Sequence, residues 1–552
     1  MEMTKDGFDM SRRLAGVNGW TISAVLIIIL LFLPNVSIVS GIFSQASDNW
    51  AHIKEYMLLN YIKTSLTLVL FTAVFTIGIG LSLAWLIAQY DFPLRNFMKW
   101  ALILPLSIPP FIGAYTYHGI INYTGVIQKT LRNQFDITPN PAFFDIMNIP
   151  GAIFIYTLFL YPYVYMITRI YLSHQSASLI ESARTLGKGP WTIFFKIVLP
   201  ISRVSIIGGV SLVILEVLND YGVVKYFGIQ TFSTAIFQTW FGLGDLDSSI
   251  KLAASLMGIV IFILVIERLL RGGKQYSYAT TKVRPLPLVK LRGKSAGFAT
   301  AYTVFIFSIA FLIPVIQLID WVILTFGKVP MGEVLTYTKN SVTVAGLSAT
   351  LIIVFSLIVG NFSRIVHHRL GKVLPKLTIL GYSIPGAVIA VAVVTTFIAL
   401  DHFLAPVYQF FGADSILVLS VSLFMLISAY IIRFFAIGYN SIEAGFDKIG
   451  TDFRDASRML GATSMRTFFK VDVPMMKGAI ISGFTLVFVD ILKEIPLTLI
   501  LRPFNYDTLA TKAFQYASDE RIMEASQASL LIVGVSTIAI FVFHKLLSEE
   551  TK

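Results

Sequence analysis

Residues 181–200 read ESARTLGKGPWTIFFKIVLP, and residues 455–474 read DASRMLGATSMRTFFKVDVP. The two stretches align without a gap, each residue of the first having its counterpart 274 positions later, from Glu181 to Asp455. Arg, Leu, Gly, Phe, Phe, Lys and Pro recur in register. Leu179, Ala183 and Leu186 fall on one helical face, and Gly187 ends that helix because glycine alone adopts a left-handed turn without steric cost. Trp191, Phe194, Phe195 and Val198 resume an apolar face, and Pro200 is expected to open a new helix. A short helix, a glycine turn and a second helix occur twice, so the chain is a duplication.

Around these segments the chain is too apolar for water. It has 552 residues, 56% hydrophobic and 13% charged, where soluble domains carry about 25% charged residues. Runs without charge, each long enough for a span of roughly 20 residues, lie between Arg13 and Asp48, Lys63 and Asp91, Lys99 and Lys129, and Asp145 and Arg169. In the second half they lie between Lys294 and Asp320, Lys339 and Arg364, Lys376 and Asp401, Asp414 and Arg433, and Glu524 and Lys545. Runs after Arg203 and Lys477, cut short by acidic residues, and the stretch from Lys251 to Glu267 complete a set of about twelve. The first run is too long for the core of a signal peptide and is read as a retained helix.

With both termini in the cytosol, 31 of the 43 Lys and Arg fall in cytosolic connections, as the positive-inside rule requires. Both duplicated segments then lie in the cytosol, each between the fourth and fifth span of a six-span half. The copies share one orientation, a parallel repeat. The expected fold is an all-α integral membrane protein of two parallel six-helix repeats. Residues 1–59 carry the N-terminus, the first helix and an outer loop. Residues 60–267 form the first unit, and 268–298 a basic linker with Pro285 and Pro287. Residues 299–334 hold the seventh helix and an outer loop, and 335–548 form the second unit. The linker charge suits anionic headgroups. The net charge of +12 belongs to residues flanking spans, which leaves nothing for nucleic acid. No cysteine is present, so no disulfide or thiolate metal site can form.

Two acidic residues stand inside the fifth span of each half, four in all. Glu216 lies about 13 residues beyond Arg203, roughly 20 Å deep at 1.5 Å per residue, and Asp220 follows at i+4. Asp490 and Glu494 hold the same positions in the repeat. A charge in the hydrocarbon costs about 2.5–3.5 kcal/mol on insertion scales, and is tolerated facing a cavity or a partner. Two readings stay open: the four line a translocation path, where carboxylates suit a hard cation, or they pair with Lys493 or Lys225 and mark helix ends. His118 reads as a satisfied core residue, and His367 and His368 as solvated. The sole Gly-Lys-Ser, 293–295, lacks the first glycine of a phosphate loop, since Leu288 stands there. ATP hydrolysis has to come from another polypeptide, and no catalytic constellation is present.

The duplicated segment resembles the cytosolic loop of ABC importer permeases, E-A-A, three residues, Gly, nine residues, I-x-L-P. Glu181, Ala183, Gly187, Ile197, Leu199 and Pro200 match it. Asp455, Ala456, Ser457, Gly461, Val471, Val473 and Pro474 match more loosely, with Asp for Glu and Ser457 for the third alanine. The resemblance implies the type I permease fold in a bacterial inner membrane. It also implies docking of these loops on two copies of an ATPase subunit that carries ATP-Mg, and a periplasmic substrate-binding protein. LPLSIPPFIGAY (104–115), the stretch 215–245 and VDILKEIPLTLILRPFNYDTLAT (489–511) are similar to fused permeases of ferric iron importers. This implies ferric iron as cargo, with thiamine or another small cation as the alternative within the same architecture. An ion-gradient-driven transporter also uses twelve spans in two parallel halves, but has no need of the duplicated loop.

Overall fold

The computed structural model describes residues 19–42, 47–173, 177–271, 288–366, 374, 384–412, 417–450 and 452–550. The turn with His367 and His368, and Pro285 and Pro287 of the linker, lie outside them. In chain order the elements used below are α1 Gly19–Ile42, α2 Leu58–Gln89, β1 Tyr90–Asp91, α3 Arg95–Ala101, α4 Pro110–Ile121, α5 Ile149–Ser173, α6 Ala177–Thr185, α7 Leu199–Asn219, α8 Gly222–Tyr226 and α9 Leu246–Arg271. They continue with β2 Val289–Lys290, α10 Gly293–Phe307, α11 Ile313–Leu324, α12 Met331–Ile365, α13 Gly386–Phe410, α14 Leu423–Ile449, α15 Asp452–Met459, α16 Lys477–Leu492, α17 Pro496–Leu501 and α18 Ile522–Glu550.

Among the described residues nine helices are long and apolar enough to cross a membrane. Two further segments pass that test as bent pairs, Arg95–Ser107 with Pro110–Phe135 at 91° and Ser464–Met475 with Lys477–Leu492 at 72°. The shorter apolar stretch Gly19–Leu33 lies in α1. These twelve follow the charge-free runs in order, with three corrections.

The third run is not one straight helix. It breaks between Ser107 and Pro110, where Ile108 (φ −98°, ψ 108°) and Pro109 (φ −55°, ψ 140°) are extended. Each precedes a proline, whose ring forbids the helical conformation to its predecessor. The tenth span does not end at Arg433. Helix α14 runs from Leu423 to Ile449, so Arg433 lies inside it and does not belong to a connection. Pro200 does not open a new helix either. The helix is continuous over Trp191–Asn219, with a π-turn at Phe194–Val198 just before the proline.

The fourth span of each half is the centre of the bundle. Helices α5 and α14 have 78% of their apolar windows buried against protein, compared with 44% for α2 and α12 beside them. Small residues allow that closeness: a Cβ on Gly80 of α2 would stand 2.8 Å from the Cβ of Val164. Without a hydrophobic drive between helices in lipid, such close backbone packing holds spans together. Some hydroxyls inside the spans return their protons to the helix, as Thr76 does to the Thr72 carbonyl at 2.8 Å, and these need no outside partner.

Two outer contacts fix the periphery. Strand β2, just after the basic linker, pairs in parallel with β1, Tyr90 opposite Val289 and Asp91 opposite Lys290. At the other end of the first half, Asp245 precedes α9 and accepts from the Ser248 N–H (2.9 Å) and hydroxyl, from Ser47 (2.8 Å) and from Asn49 (3.0 Å). Burial pushes the Asp245 carboxyl up, but these donors outweigh it and hold it at about 2.

Candidate functional site at the junction of the halves

Glu216, Asp220, Asp490 and Glu494 line one cavity of about 70 Å³. The chain brings them there by symmetry. Helix α7 ends at Asn219, and Asp220 leaves it in extended conformation (φ −66°, ψ 136°). Asp220 therefore does not share a helical face with Glu216 by i+4 spacing. Its carboxylate instead accepts from the Val223 N–H at 2.9 Å and from the Tyr156 hydroxyl at 2.8 Å, capping the start of α8. Glu494 likewise lies past the end of α16 and accepts from the Leu497 N–H at 3.2 Å in the first turn of α17.

The counter-charges come from the second half. Asp490 pairs with Lys493 at 2.8 Å, and Arg433 Nε stands 3.5 Å from Glu494 Oε2, with both side chains under a tenth exposed. Lys225 is exposed and joins neither pair. Arg433 Nη1 also donates to Asn219 Oδ1 at 2.9 Å. That oxygen receives the Gly386 N–H at 2.5 Å as well. Two donors of the second half thus converge on one amide oxygen of the first. Gly386 keeps that approach open: a Cβ would lie 3.0 Å from both Arg433 Nη1 and Glu494 Oε1 and would press on both side chains.

Four acids face two bases, so the cavity is acidic when all are ionised. Among the described residues no three acidic or histidine side chains come close enough to hold one metal ion. The cavity is lined with charge and, among the described residues, holds no preformed ion cage. A second space of about 420 Å³ adjoins it and shares Leu106, Tyr163, Asp490 and Lys493 in its lining. Met166, Leu212, Asn440, Thr485 and Val489 line this larger and more apolar chamber, which lies toward the α6 and α15 ends of the helices.

The duplicated elbows lie at those ends. Gly187 (φ +69°) and Gly461 (φ +81°) make the left-handed turns. Ala183 is buried and Glu181 half-buried, and Lys188 N–H closes the turn on the Ala183 carbonyl at 3.1 Å. In the second elbow the Ala462 N–H reaches the Ser457 carbonyl at 3.2 Å, and the Ser457 hydroxyl meets Thr467 at 3.0 Å. Asp455, Gly461, Pro474 and Pro200 are exposed. Leu186 departs from the expected apolar face. It is 75% exposed and its counterpart Leu460 89%. Trp191 and Phe195, stacked at 6.2 Å, are exposed too. Leucines identical in both copies and turned away from their own chain have no packing role within it.

Residues 76–271 and 352–552 each match the family of binding-protein-dependent transport system inner membrane components. The chain belongs to this family. The permease is 28% identical to the Fe(3+)-transport system permease protein FbpB 2 of Haemophilus influenzae over 88% of its own length and 89% of that protein. It is 22% identical to the ferric transport system permease protein FbpB of Actinobacillus pleuropneumoniae over 94% of its own length and 77% of that protein. A stretch of 148 residues, 27% of the chain, is 30% identical to the molybdenum transport system permease protein ModB of Escherichia coli and covers 62% of that protein. The permease is thus a multi-pass component of an inner membrane, working with a binding protein.

Residue counting missed Arg433, because a charge was taken as the end of a span. The repeat held a signal: the first-half position matching Arg433 is Phe159, and the one matching Lys493 is Asn219. His118 is satisfied as expected, its Nδ1 2.7 Å from the Tyr226 hydroxyl.

Proposed function

We propose that the permease is the pore of an ABC importer that takes ferric iron from a periplasmic binding protein into the cytosol. Glu216, Asp220, Asp490 and Glu494 line the outer gate of its path. The observation that carries this reading is the acidic cavity closed by the Arg433–Asn219 contact between halves. Full-length relatives that transport ferric iron by name support the cargo. An excess of carboxylates favours a cation, and weak, distributed ligation lets it leave again.

Both termini and both elbows lie in the cytosol in this reading, with permease units at 60–267 and 335–548. Two copies of an ATPase subunit dock on the elbows, one on Glu181, Ala183 and Gly187 with Leu186 as its apolar anchor, the other on Asp455, Ser457 and Gly461 with Leu460. Exposed leucine and aromatic side chains on a short helix fit a groove on a partner. Pro200 and Pro474 lie where each elbow passes into its span. ATP-Mg belongs to those partners, and the permease itself has no catalytic role. Closure of the ATPases moves α7 and α16, which carry Glu216 and Asp490 and lead into Asp220 and Glu494, and draws Asn219 away from Arg433 and Gly386. The gate then opens on the outer side.

The test is uptake of radioactive ferric iron by vesicles holding the permease, its ATPase and its binding protein. Glu216→Gln with Asp490→Asn should lower uptake at least tenfold while the ATPase still copurifies. Uptake equal to wild type removes the path role of the acids. The molybdenum relative and the bases Arg433 and Lys493 favour a second reading, an oxyanion cargo. Molybdate uptake exceeding iron uptake in the same vesicles would select it.

A further inference from the structure

Three cations gather where α3 meets the end of α5, beside the first elbow. Arg95 and Lys99 stand one turn apart on α3, and Arg169 lies on α5. All three are within electrostatic range of one another. The cluster is held by backbone anchors. Arg95 Nε donates to the Ile87 carbonyl at 2.9 Å, and the Tyr165 hydroxyl donates to the Lys99 carbonyl at 2.9 Å, fastening α3 to α5. The Arg169 guanidinium sits 5.7 Å from the Tyr165 ring.

What these anchors leave over is positive charge. Arg169 Nε is buried and has no hydrogen-bond partner. Among the described residues none of the three cations forms an ion pair. Asp91 is the carboxylate that Arg95 senses, but it lies opposite Lys290 in the β1–β2 register. Like charges held together at the edge of a bilayer repel, and a buried donor without an acceptor forfeits its hydration. An anion bound among them removes both penalties.

The repeat argues that this is a site and not general inner-surface charge. The position matching Arg169 in the second half is Glu443, which accepts from Tyr439, the match of Tyr165, at 3.3 Å. The second half thus has an internally satisfied acid where the first has an unsatisfied base. Beside the cations, Phe97 is exposed and packs edge-on against Trp100 at 5.1 Å. Aromatic rings of this kind sit at headgroup level with acyl chains beyond them.

We propose that Arg95, Lys99 and Arg169 bind a phosphate-bearing anion, the headgroup of an anionic membrane phospholipid being the source that Phe97 and Trp100 favour. Guanidinium and ammonium donors match phosphate oxygens, and a basic pocket between spans at the membrane surface suits such a headgroup.

The test begins with the wild-type permease bound to its ATPase, in nanodiscs of phosphatidylcholine with or without phosphatidylglycerol. Arginine labelling by phenylglyoxal, mapped by mass spectrometry, should slow about tenfold at Arg169 when phosphatidylglycerol is present. Native mass spectrometry should then show that Lys99→Gln with Arg169→Gln retains one phosphatidylglycerol fewer than wild type. Glu443→Gln should retain the full number. Protection of Arg169 by inorganic phosphate alone, equal to that by lipid, assigns the site to free phosphate. Equal labelling with phosphatidylglycerol, phosphatidylcholine and phosphate overturns the proposal, and the wild-type protein gives that answer even if the double variant fails to fold.

Discussion

The two halves share a backbone and a set of acids but not a set of bases. Tyr156 and Tyr430, Asp220 and Glu494, and Val223 and Leu497 correspond one to one, and each acid caps the helix that follows it. Yet the first half places Phe159 and Asn219 where the second places Arg433 and Lys493. The elbows diverge in the same way. In the second, Asp472 is 2% exposed and pairs with Arg364 at 3.2 Å, and Trp20 of α1 packs on Phe468 at 4.6 Å. In the first, Val198 stands for Asp472, and Trp85 meets Phe194 at 5.9 Å. The first elbow continues straight into its span, whereas the second bends by 72°. Duplication copied the architecture, while the ion pairs Arg364–Asp472, Arg433–Glu494 and Lys493–Asp490 belong to the second half. At this cavity the second half supplies the bases, and the first half meets them through Asn219, which accepts from both Arg433 and Gly386.

The sharpest way to break this comparison is to make the halves alike. Arg433→Phe installs the first-half residue and strands Glu494 as a buried charge. It should cost about 3–5 kcal/mol, read as a lowered thermal midpoint of the purified permease, and adding Glu494→Gln should restore most of it. A single variant as stable as wild type would mean that Glu494 does not depend on Arg433.

Asp472→Val makes the same move at the elbow. Losing a charge-assisted hydrogen bond to Arg364 should cost about 2 kcal/mol, with more ATP hydrolysed per ion carried. Val198→Ala in the first elbow should leave that ratio unchanged, and equal ratios for both would erase the distinction between the elbows. Smaller still is the contrast between the matched tyrosines. Tyr156→Phe removes a hydroxyl donor from Asp220 and should cost about 1.5–2 kcal/mol, whereas Tyr430→Phe removes a neutral bond to Thr498 and should cost about 1 kcal/mol. Chemical denaturation in the same detergent ranks the two.

The smallest effect concerns the tie that Asp245 makes in the first half. The Asp245 carboxyl is held below its ordinary value, so its contribution is complete above about pH 4 and is lost as pH falls through about 2. Hydrogen exchange at residues 47–52, taken relative to the intrinsic rate at each pH, should be equal at pH 6 and pH 5 and rise between pH 4 and pH 2. In Asp245→Asn it should already be raised at pH 6, and exchange indifferent to both pH and substitution would remove Asp245 as the tether.

Much of the fold was legible along the chain because lipid imposes a simple rule: backbone polar groups must be satisfied within a helix, so apolar length reads as a span. The repeat supplied the pairing of helices, the elbow turns at Gly187 and Gly461, and the four acids. The same rule misled at Arg433. A charge was taken as a boundary, but α14 carries it across because Glu494 and Asn219 reach it from other helices. Leu186 was misplaced for a related reason: helical spacing shows which residues share a face, not whether that face meets the protein or is left open.

By itself, then, the sequence determined the number and order of spans, the parallel duplication and the positions of charge, since each follows from solvation of a single helix. Only the tertiary structure decided which charges meet. Residues 61 and 214 positions from Arg433 in the chain, Glu494 and Asn219, become its partners through the packing of α7, α14 and α16, and no local pattern encodes that distance.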